Sequence, residues 1–480
     1  MRILTYFLLF YSLTSLAKPS IFVNKSQQNL EQSILIKRVS DRKTLFETNP
    51  DKALTPASLA KLFCAASFLK NFGKMKNLKT VFYHSGKKSK GSVKGDLIIK
   101  GGGDPKLVTE DLWKIVHDMK HLGYKEFSGD LVLDNSLFSR EKLNKNRIKK
   151  YSQNSYDAPV SALGVNFNTY NIVVSPGKRA GSKAHVSLYP YPIRGTEVKN
   201  YVKTVSSKKR NYISIRRELR KGKEVIIARG RIYKDSPLRK FYRSSYDPVR
   251  FSGETIRSFL KAQNIIVKGK VKEGNLSSYK SSTKILSYKS KPIGELTKDF
   301  LLYSNNYMTD MLVSTLGAHH KNKETKENLY NNGLNIIKNI LPNKALTKKS
   351  SFIFTSGSGL KTENKISSHH VVDLLIMMSK NFEVFPEFLN ALPKAGMNGS
   401  LKKRFKKARM KPLLGKVRAK TGTLTQPVSV SSLAGYMYHK KHGLLAFSII
   451  QNGFFGKKQP NILVMRQAQE LGLIKILKKL

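Results

Sequence analysis

A chain of 480 residues with 40% hydrophobic composition is long enough for two or three packed domains and too apolar for a disordered one. Its single cysteine, Cys64, excludes an intramolecular disulfide, and no segment after the first seventeen residues is apolar over the roughly 20 residues that cross a bilayer. A formal charge of +57 draws the chain to polyanions. Yet the basic runs Lys208-Lys209-Arg210 and Lys402-Lys403-Arg404 carry no interleaved aromatics of the kind that stack bases, so nucleic acid is not the expected partner.

Residues 1–17 read as a cleavable export signal, with Arg2 as positive start, an apolar run from Ile3 to Leu13, and small residues around Ser15-Leu16-Ala17. The mature chain from Lys18 is therefore expected in the periplasm. Ser33–Lys37 and Lys43–Glu47 predict a hairpin around Ser40-Asp41-Arg42. A helix follows, with Thr55 as cap, Pro56 at its first position, and Leu59, Leu62, Phe63, Ala66 and Leu69 at helical spacing. Cys64 lies in that apolar run and reads as a small buried hydrophobe.

From about residue 79 to 288 the pattern is short strands and turns, dense in Gly, Lys and Ser. Helical periodicity returns from Pro292. Strands at Ser432–Tyr438 and Leu444–Gln451 and a last helix from about Pro460 end the chain. Leu471, Ile474 and Leu477 in that helix predict packing on the protein's own sheet, with contact to a membrane surface as the alternative. The pattern suggests one domain built from both termini and interrupted by an insertion.

Three short motifs carry chemistry. Ser58-Leu59-Ala60-Lys61 puts a hydroxyl in the first turn of a helix and an amine three residues on, on the same face. Free amides and the positive helix end there favour a developing anion. Lys61 can take the serine's proton only when neutral, which means lowering its pKa from ~10.4 to near 7, at roughly 4.6 kcal/mol. Burial and a second cation are the available means. Ser304-Asn305-Asn306 supplies a hydroxyl that can relay a proton and an amide that can hold a peptide carbonyl. Lys420-Thr421-Gly422 supplies that second cation, a hydroxyl for a substrate carboxylate, and a glycine that admits close approach. Thr423 follows with a backbone N–H for an oxyanion hole, a contact worth ~3–4 kcal/mol.

Singly these motifs are weak: Ser85-Gly86-Lys87-Lys88 and Ser152-Gln153-Asn154 match the first two by accident. Their order and context raise the weight of the trio. With Gly101-Gly102-Gly103-Asp104-Pro105, Tyr156-Asp157-Ala158-Pro159, Gly357-Ser358-Gly359-Leu360, Gly399-Ser400-Leu401 and Ser432-Leu433-Ala434-Gly435-Tyr436, the chain resembles the low-molecular-mass class C penicillin-binding proteins of the penicillin-binding protein 4 type. These are D-alanyl-D-alanine carboxypeptidases and endopeptidases.

The resemblance implies a multi-domain α/β protein. Its penicilloyl-serine-transferase (β-lactamase-like) domain, with a central antiparallel sheet flanked by helices, spans 18–78 and 289–480. Two nested β-rich domains interrupt it, one at 79–105 and 158–288 and a second at 106–157. It further implies Ser58 as nucleophile, Lys61 as base, Ser304 as proton shuttle, Asn306 as substrate holder, and Lys420 with Thr421 at the terminal carboxylate. Peptidoglycan stem peptides and cross-links would be substrates, and β-lactam antibiotics covalent inhibitors. Where the family often has Asp-Gly-Ser-Gly-Leu-Ser-Arg, this chain has Thr355-Ser356-Gly357-Ser358-Gly359-Leu360-Lys361, a departure that bears on fine specificity. The identity of the general base and the balance between carboxypeptidase and endopeptidase action stay open.

No cofactor or metal is expected. Of the histidines, the adjacent pairs His319-His320 and His369-His370 point about 100° apart on a helix and read as solvated helix ends. Two other readings compete: a β-lactamase of the same superfamily, which usually lacks so long an insertion, and a basic peptidoglycan- or polyanion-binding protein without catalysis. The basic surface suits peripheral contact with membrane or wall.

Overall fold

A computed structural model describes residues 30–138, 152–320, 328–341 and 351–480; the export signal expected at 1–17 lies outside them. The chain opens with β1 (Glu31–Arg38) and β2 (Thr44–Thr48), then a 3-10 turn at Ala57–Leu59 leading into α1 (Ala60–Phe72). Next come β3 (Lys79–His84), β4 (Leu97–Lys100), α2 (Thr109–His121) and β5 (Leu131–Asp134). A run of strands follows: β6 (Thr169–Ser175), β7 (His185–Leu188), β8 (Thr196–Val205), β9 (Tyr212–Arg220), β10 (Lys223–Tyr233) and β11 (Arg239–Ser244). Then come α3 (Pro248–Ala262), β12 (Val271–Gly274) and β13 (Thr283–Lys289). Helices α4 (Ile293–Tyr303), α5 (Asn306–His319), α6 (Leu329–Lys338), α7 (Ser368–Ser379) and α8 (Phe385–Ala391) precede β14 (Val417–Leu424), β15 (Val430–His439), β16 (Gly443–Asn452) and α9 (Ile462–Lys479).

Both ends of the chain build one antiparallel sheet, in the order β14-β15-β16-β1-β2. Alternation along β1 explains why its core residues are unbroken: Leu35 faces α1, α4 and α7, whereas Ile34 and Ile36 face α9 and the segment before β14. A sheet covered on both faces selects apolar residues at every position, and β15 is accordingly buried along nearly its whole length. Burying a side chain such as Phe63 or Phe300 contributes ~1.5–3 kcal/mol. The expected hairpin is β1–β2. Leu473, Ile474 and Ile476 of α9 are buried against the sheet, and Lys475, Lys478 and Lys479 face out, so the apolar stripe of this helix is occupied.

The strand pairings divide the insertion elsewhere than the sequence suggests. β4 and β5 pair in parallel through the crossover helix α2, within a mixed sheet ordered β12-β5-β4-β3-β13. The residues of 106–157 that form α2 and β5 thus share a sheet and a core with the strands of 79–105. The stretch standing apart is 169–244, two three-stranded sheets ordered β7-β6-β11 and β8-β10-β9 around their own core. The first insertion unit is α/β rather than β-rich, because parallel neighbours demand a covering helix and the sequence reading gave 109–121 no such role.

Among the described residues no helix is long and apolar enough to cross a membrane.

Candidate active site

The 3-10 turn that carries Ser58 is more sharply built than the expected helix start. The turn begins after Pro56, and α1 proper begins at Ala60. Thr55 does not cap it. Its backbone N–H donates to Asn452 Oδ1 at 2.8 Å, its carbonyl accepts from Asn452 Nδ2 at 3.0 Å, and its hydroxyl donates to the Thr362 carbonyl at 2.9 Å. These contacts tie the turn to β16. Ala57 holds φ of 48°, a strained value for a residue with a Cβ, just before Ser58.

Around this turn the three motifs converge. Lys61 is fully buried; its Nζ donates to Ser58 Oγ at 3.0 Å, to Asn306 Oδ1 at 2.8 Å and to the Ser358 carbonyl at 2.5 Å. Ser304 ends α4 in the left-handed conformation, φ 57°, and Asn306 begins α5. That tight junction points both side chains into the cleft. Lys420 is also fully buried, and its Nζ donates to Ser304 Oγ at 2.8 Å and to the Thr421 carbonyl at 2.8 Å. Burial, and then the charge of Lys61, hold the Lys420 amine well below its ordinary pKa.

Lys420-Thr421-Gly422 lies inside β14, the edge strand beside the turn, rather than ahead of the strands. A Cβ on Gly422 would sit 2.1 Å from Ser432 Oγ and 2.6 Å from the Pro56 carbonyl, so only glycine lets the strand lie against the Ser58 turn. Thr421 Oγ1 donates to Ser400 Oγ at 2.8 Å. Thr423 Oγ1 accepts from Arg466 of α9 at 2.9 Å. Every residue singled out from sequence, namely Ser58, Lys61, Ser304, Asn306, Lys420, Thr421, Gly422 and Thr423, is on or beside this cleft.

Sequence reasoning missed three contributors. Ser358 offers its backbone carbonyl to Lys61, a contact that any residue type can make. Ser400 meets Thr421, and the carbonyl of Tyr156, from the insertion, accepts from Asn306 Nδ2 at 3.3 Å. The family-like motifs around 156, 358 and 400 were the available signal. One histidine expectation is overturned: His370 is fully buried, its Nδ1 accepting the Ser367 backbone N–H at 3.2 Å at the start of α7, because the ring packs edge-on against Phe352. Cys64 is buried as expected, and burial pushes its thiol far up. Among the described residues no group of three or more His, Cys, Asp or Glu is placed to hold a metal ion.

A sheet covered by helices on both faces, with a serine and a lysine at the head of one helix and a second lysine on the neighbouring strand, defines a β-lactamase-like penicilloyl-serine-transferase fold. The chain belongs to the D-Ala-D-Ala carboxypeptidase 3 (S13) family, whose model matches residues 22–469. It is 29% identical to a D-alanyl-D-alanine carboxypeptidase of an Actinomadura species, over 86% of this chain and 76% of that one. It is 25% identical to the D-alanyl-D-alanine carboxypeptidase DacB of Haemophilus influenzae, over 92% and 90% of the two chains. The fold matches the crystal structure of penicillin binding protein 4 (dacB) from Haemophilus influenzae with a TM-score of 0.74 at 21% identity, covering 93% and 96%. It also matches a predatory endopeptidase of Bdellovibrio bacteriovorus, solved with its immunity protein, with a TM-score of 0.54 at 13% identity over 94% of each chain.

Proposed function

We propose that this protein is a serine-type D-Ala-D-Ala carboxypeptidase and DD-endopeptidase that acts on peptidoglycan stem peptides and cross-links through an acyl-enzyme on Ser58. The observation that carries this reading is the 3.0 Å contact between Lys61 Nζ and Ser58 Oγ, made by an amine sealed from water. In acylation, Lys61 in its neutral form takes the Ser58 proton while Oγ bonds to the carbonyl carbon of the penultimate D-alanine. The oxyanion is held by the backbone N–H groups of Ser58 and Thr423. Asn306 holds the substrate's peptide carbonyl, and Lys420 with Thr421 holds the terminal carboxylate.

As the C–N bond breaks, the leaving amine takes a proton through Ser304, which Lys420 contacts at 2.8 Å. Water then cleaves the ester, with the proton path reversed. A free D-alanine leaves in the carboxypeptidase reaction; in the endopeptidase reaction the leaving group is the partner stem of the broken cross-link, with its amine freed, by the same steps. A β-lactam opens on Ser58 in the same way and stays as a stable ester.

The domain division that fits this reading is a catalytic body from the two termini, an α/β unit at about 79–138 and 248–289, and a small β unit at 169–244. Export through the signal at 1–17 would put all of it in the periplasm, where the substrate lies. Labelling with a fluorescent penicillin tests the reading: the intact protein should retain the label through denaturation and Ser58→Ala should not. Chromatography of digested sacculi should show free D-alanine and a falling dimer content; label that survives Ser58→Ala would reject the assignment of Ser58.

A further inference from the structure

The small β unit concentrates a kind of charge that the rest of the chain does not. Lysine is abundant everywhere, but arginine is not: 10 of the chain's 21 arginines fall within 169–244, a span of 76 of the 480 residues. That span holds 20 Lys and Arg against 4 Asp and Glu. A lysine-rich composition therefore does not account for it, and arginine is the residue whose planar fork matches phosphate and carboxylate oxygens in pairs.

Strand register gathers part of this charge on one plane. In the sheet β8-β10-β9, Tyr201 pairs with Arg229 and Arg229 with Ser214; two residues on, Lys203 pairs with Arg231 and Arg231 with Tyr212. All six side chains are exposed, with Tyr201 at 57% and Tyr212 at 59%. The other face of the same strands, Val202, Ile215, Ile226, Ala228 and Ile232, is core. The run Lys208-Lys209-Arg210, fully exposed, lies in the connection from β8 to β9 at the rim of this face. The acidic Glu197 and Glu218 sit in the row of Val225, beyond the arginines, and each is already paired, with Lys199 and Arg220. The aromatics that the linear sequence lacks beside its basic runs are supplied by cross-strand pairing.

We infer that this face docks on a bilayer rich in anionic phospholipid, with Arg229, Arg231 and Lys203 against lipid phosphates and the two tyrosines at headgroup level. The face is a plane of three strands about 4.8 Å apart, which meets many headgroups of a planar surface at once. Tyrosine is suited to such an interface, its ring in the apolar zone and its hydroxyl in water. A single-stranded nucleic acid is the poorer fit, because the ring of Tyr201 already carries the Arg229 guanidinium at 5.4 Å and is not open to stack a base. The same unit is strapped to the catalytic cleft: the Arg217 N–H donates to Gln153 Oε1 at 2.8 Å, and three residues on, the Tyr156 carbonyl receives Asn306. Docking would hold the cleft at a fixed attitude to the membrane.

The test is co-sedimentation of the mature full-length chain with vesicles of phosphatidylglycerol and phosphatidylcholine, and with pure phosphatidylcholine. Binding should require phosphatidylglycerol and weaken as salt is raised. Each surface arginine contributes roughly fivefold to such partitioning, so Arg229→Ala with Arg231→Ala should lower it roughly 25-fold. A matched pair on the turn between β15 and β16, Lys440→Ala with Lys441→Ala, should lower it several-fold less, and penicillin labelling should stay unchanged in both as proof of folding. Equal binding to pure phosphatidylcholine, an equal loss in the two double variants, or tighter binding to oligodeoxythymidine than to vesicles at equal phosphate would overturn the proposal. Vesicle binding does not pass through Ser58, so failure of the acyl-enzyme assignment would leave this result standing, and the reverse.

Discussion

Asp310 and Ser358 are joined across the back of the cleft: Asp310 Oδ1 accepts the Ser358 backbone N–H at 3.1 Å. The carbonyl of Ser358 in turn accepts from Lys61, so one residue's two backbone groups connect a buried carboxylate on α5 to the amine beside Ser58. Tyr330 completes the frame, donating to Asp310 Oδ1 at 2.9 Å and accepting the Gly357 N–H at 3.0 Å.

Asp310→Ala leaves two buried donors without this acceptor, at a cost of about 1–3 kcal/mol each. The acylation rate by penicillin should fall at least tenfold, since the Ser358 carbonyl no longer has a fixed position under Lys61. Asp310→Asn keeps an oxygen at the same place and should recover most of the rate. Stopped-flow acylation alongside urea unfolding checks both, and an equal loss of rate in the two variants would make the carboxylate's charge, not its geometry, the important property.

Lys61→Met should slow acylation by roughly 10²–10⁴-fold, the usual contribution of a positioned base, with little loss of fold. Lys420→Met acts differently. It removes a cation whose own pKa is depressed by burial and by Lys61, and repulsion between two sites is mutual. The acid limb of the acylation pH profile should then move to higher pH. An unmoved limb would mean that the two amines are not coupled.

Gly359 has φ of 73°, and a Cβ there would lie 2.0 Å from the Ala57 carbonyl and 3.1 Å from the Ser58 nitrogen. Gly359→Ala should displace the Ser58 turn and abolish penicillin labelling. Gly443→Ala, at φ of 65° but with open space around it, should cost only ~1–2 kcal/mol and leave labelling intact. Melting temperatures and label yield for the pair separate a local clash from the general strain of a left-handed alanine.

His370 supplies a pH dependence of stability. Burial first, and the His369 charge second, lower its pKa from 6.5 to about 4. As pH falls through this window the unfolded chain binds a proton that the folded ring resists. The contribution is therefore complete above about pH 6.5 and declines by up to about 3 kcal/mol by pH 4. Asp104, raised to about 7 by burial, works with the opposite sign, losing stability as pH rises from 3.8 to 7. Urea titrations of the intact protein and of His370→Asn at pH 7.5 and 4.5 isolate the histidine; a variant as acid-sensitive as the parent would dismiss it.

Arg404 and Glu470 form an ion pair at 2.8 Å, each about one-tenth exposed, that pins α9 to the loop carrying Ser400. Glu470→Ala strands the guanidinium and should destabilise by roughly 3–5 kcal/mol, as removal of one partner of a buried pair does. Calorimetry reads the effect, and a change under 1 kcal/mol would show that water reaches the pair.

The candidate site was legible because the chemistry proposed for it depends on side-chain type. Ser58, Lys61, Ser304 and Lys420 each occupy a position that few other residues could fill, and local spacing places two of them on one face. Ser358 was visible only as part of a motif, since it acts through a carbonyl. The first strands were legible from alternation, and β15 from its apolar run. The parallel pairing of 97–100 with 131–134 was not, because nothing local marks which strand lies beside which across a helix. The same holds for Tyr201 and Arg229, 28 residues apart in sequence and neighbours only by register.

The order in which the chain emerges has its own consequence. Ser58 and Lys61 belong to the first elements synthesised, while Lys420 and β16, the neighbour that β1 requires, come from the last. A polypeptide halted between residues 61 and 417 carries Ser58 and Lys61 but lacks β14, β15 and β16, the strands that frame them. Acylation on Ser58, as proposed, would therefore have to wait for the strands that close the sheet, however early its own turn is made.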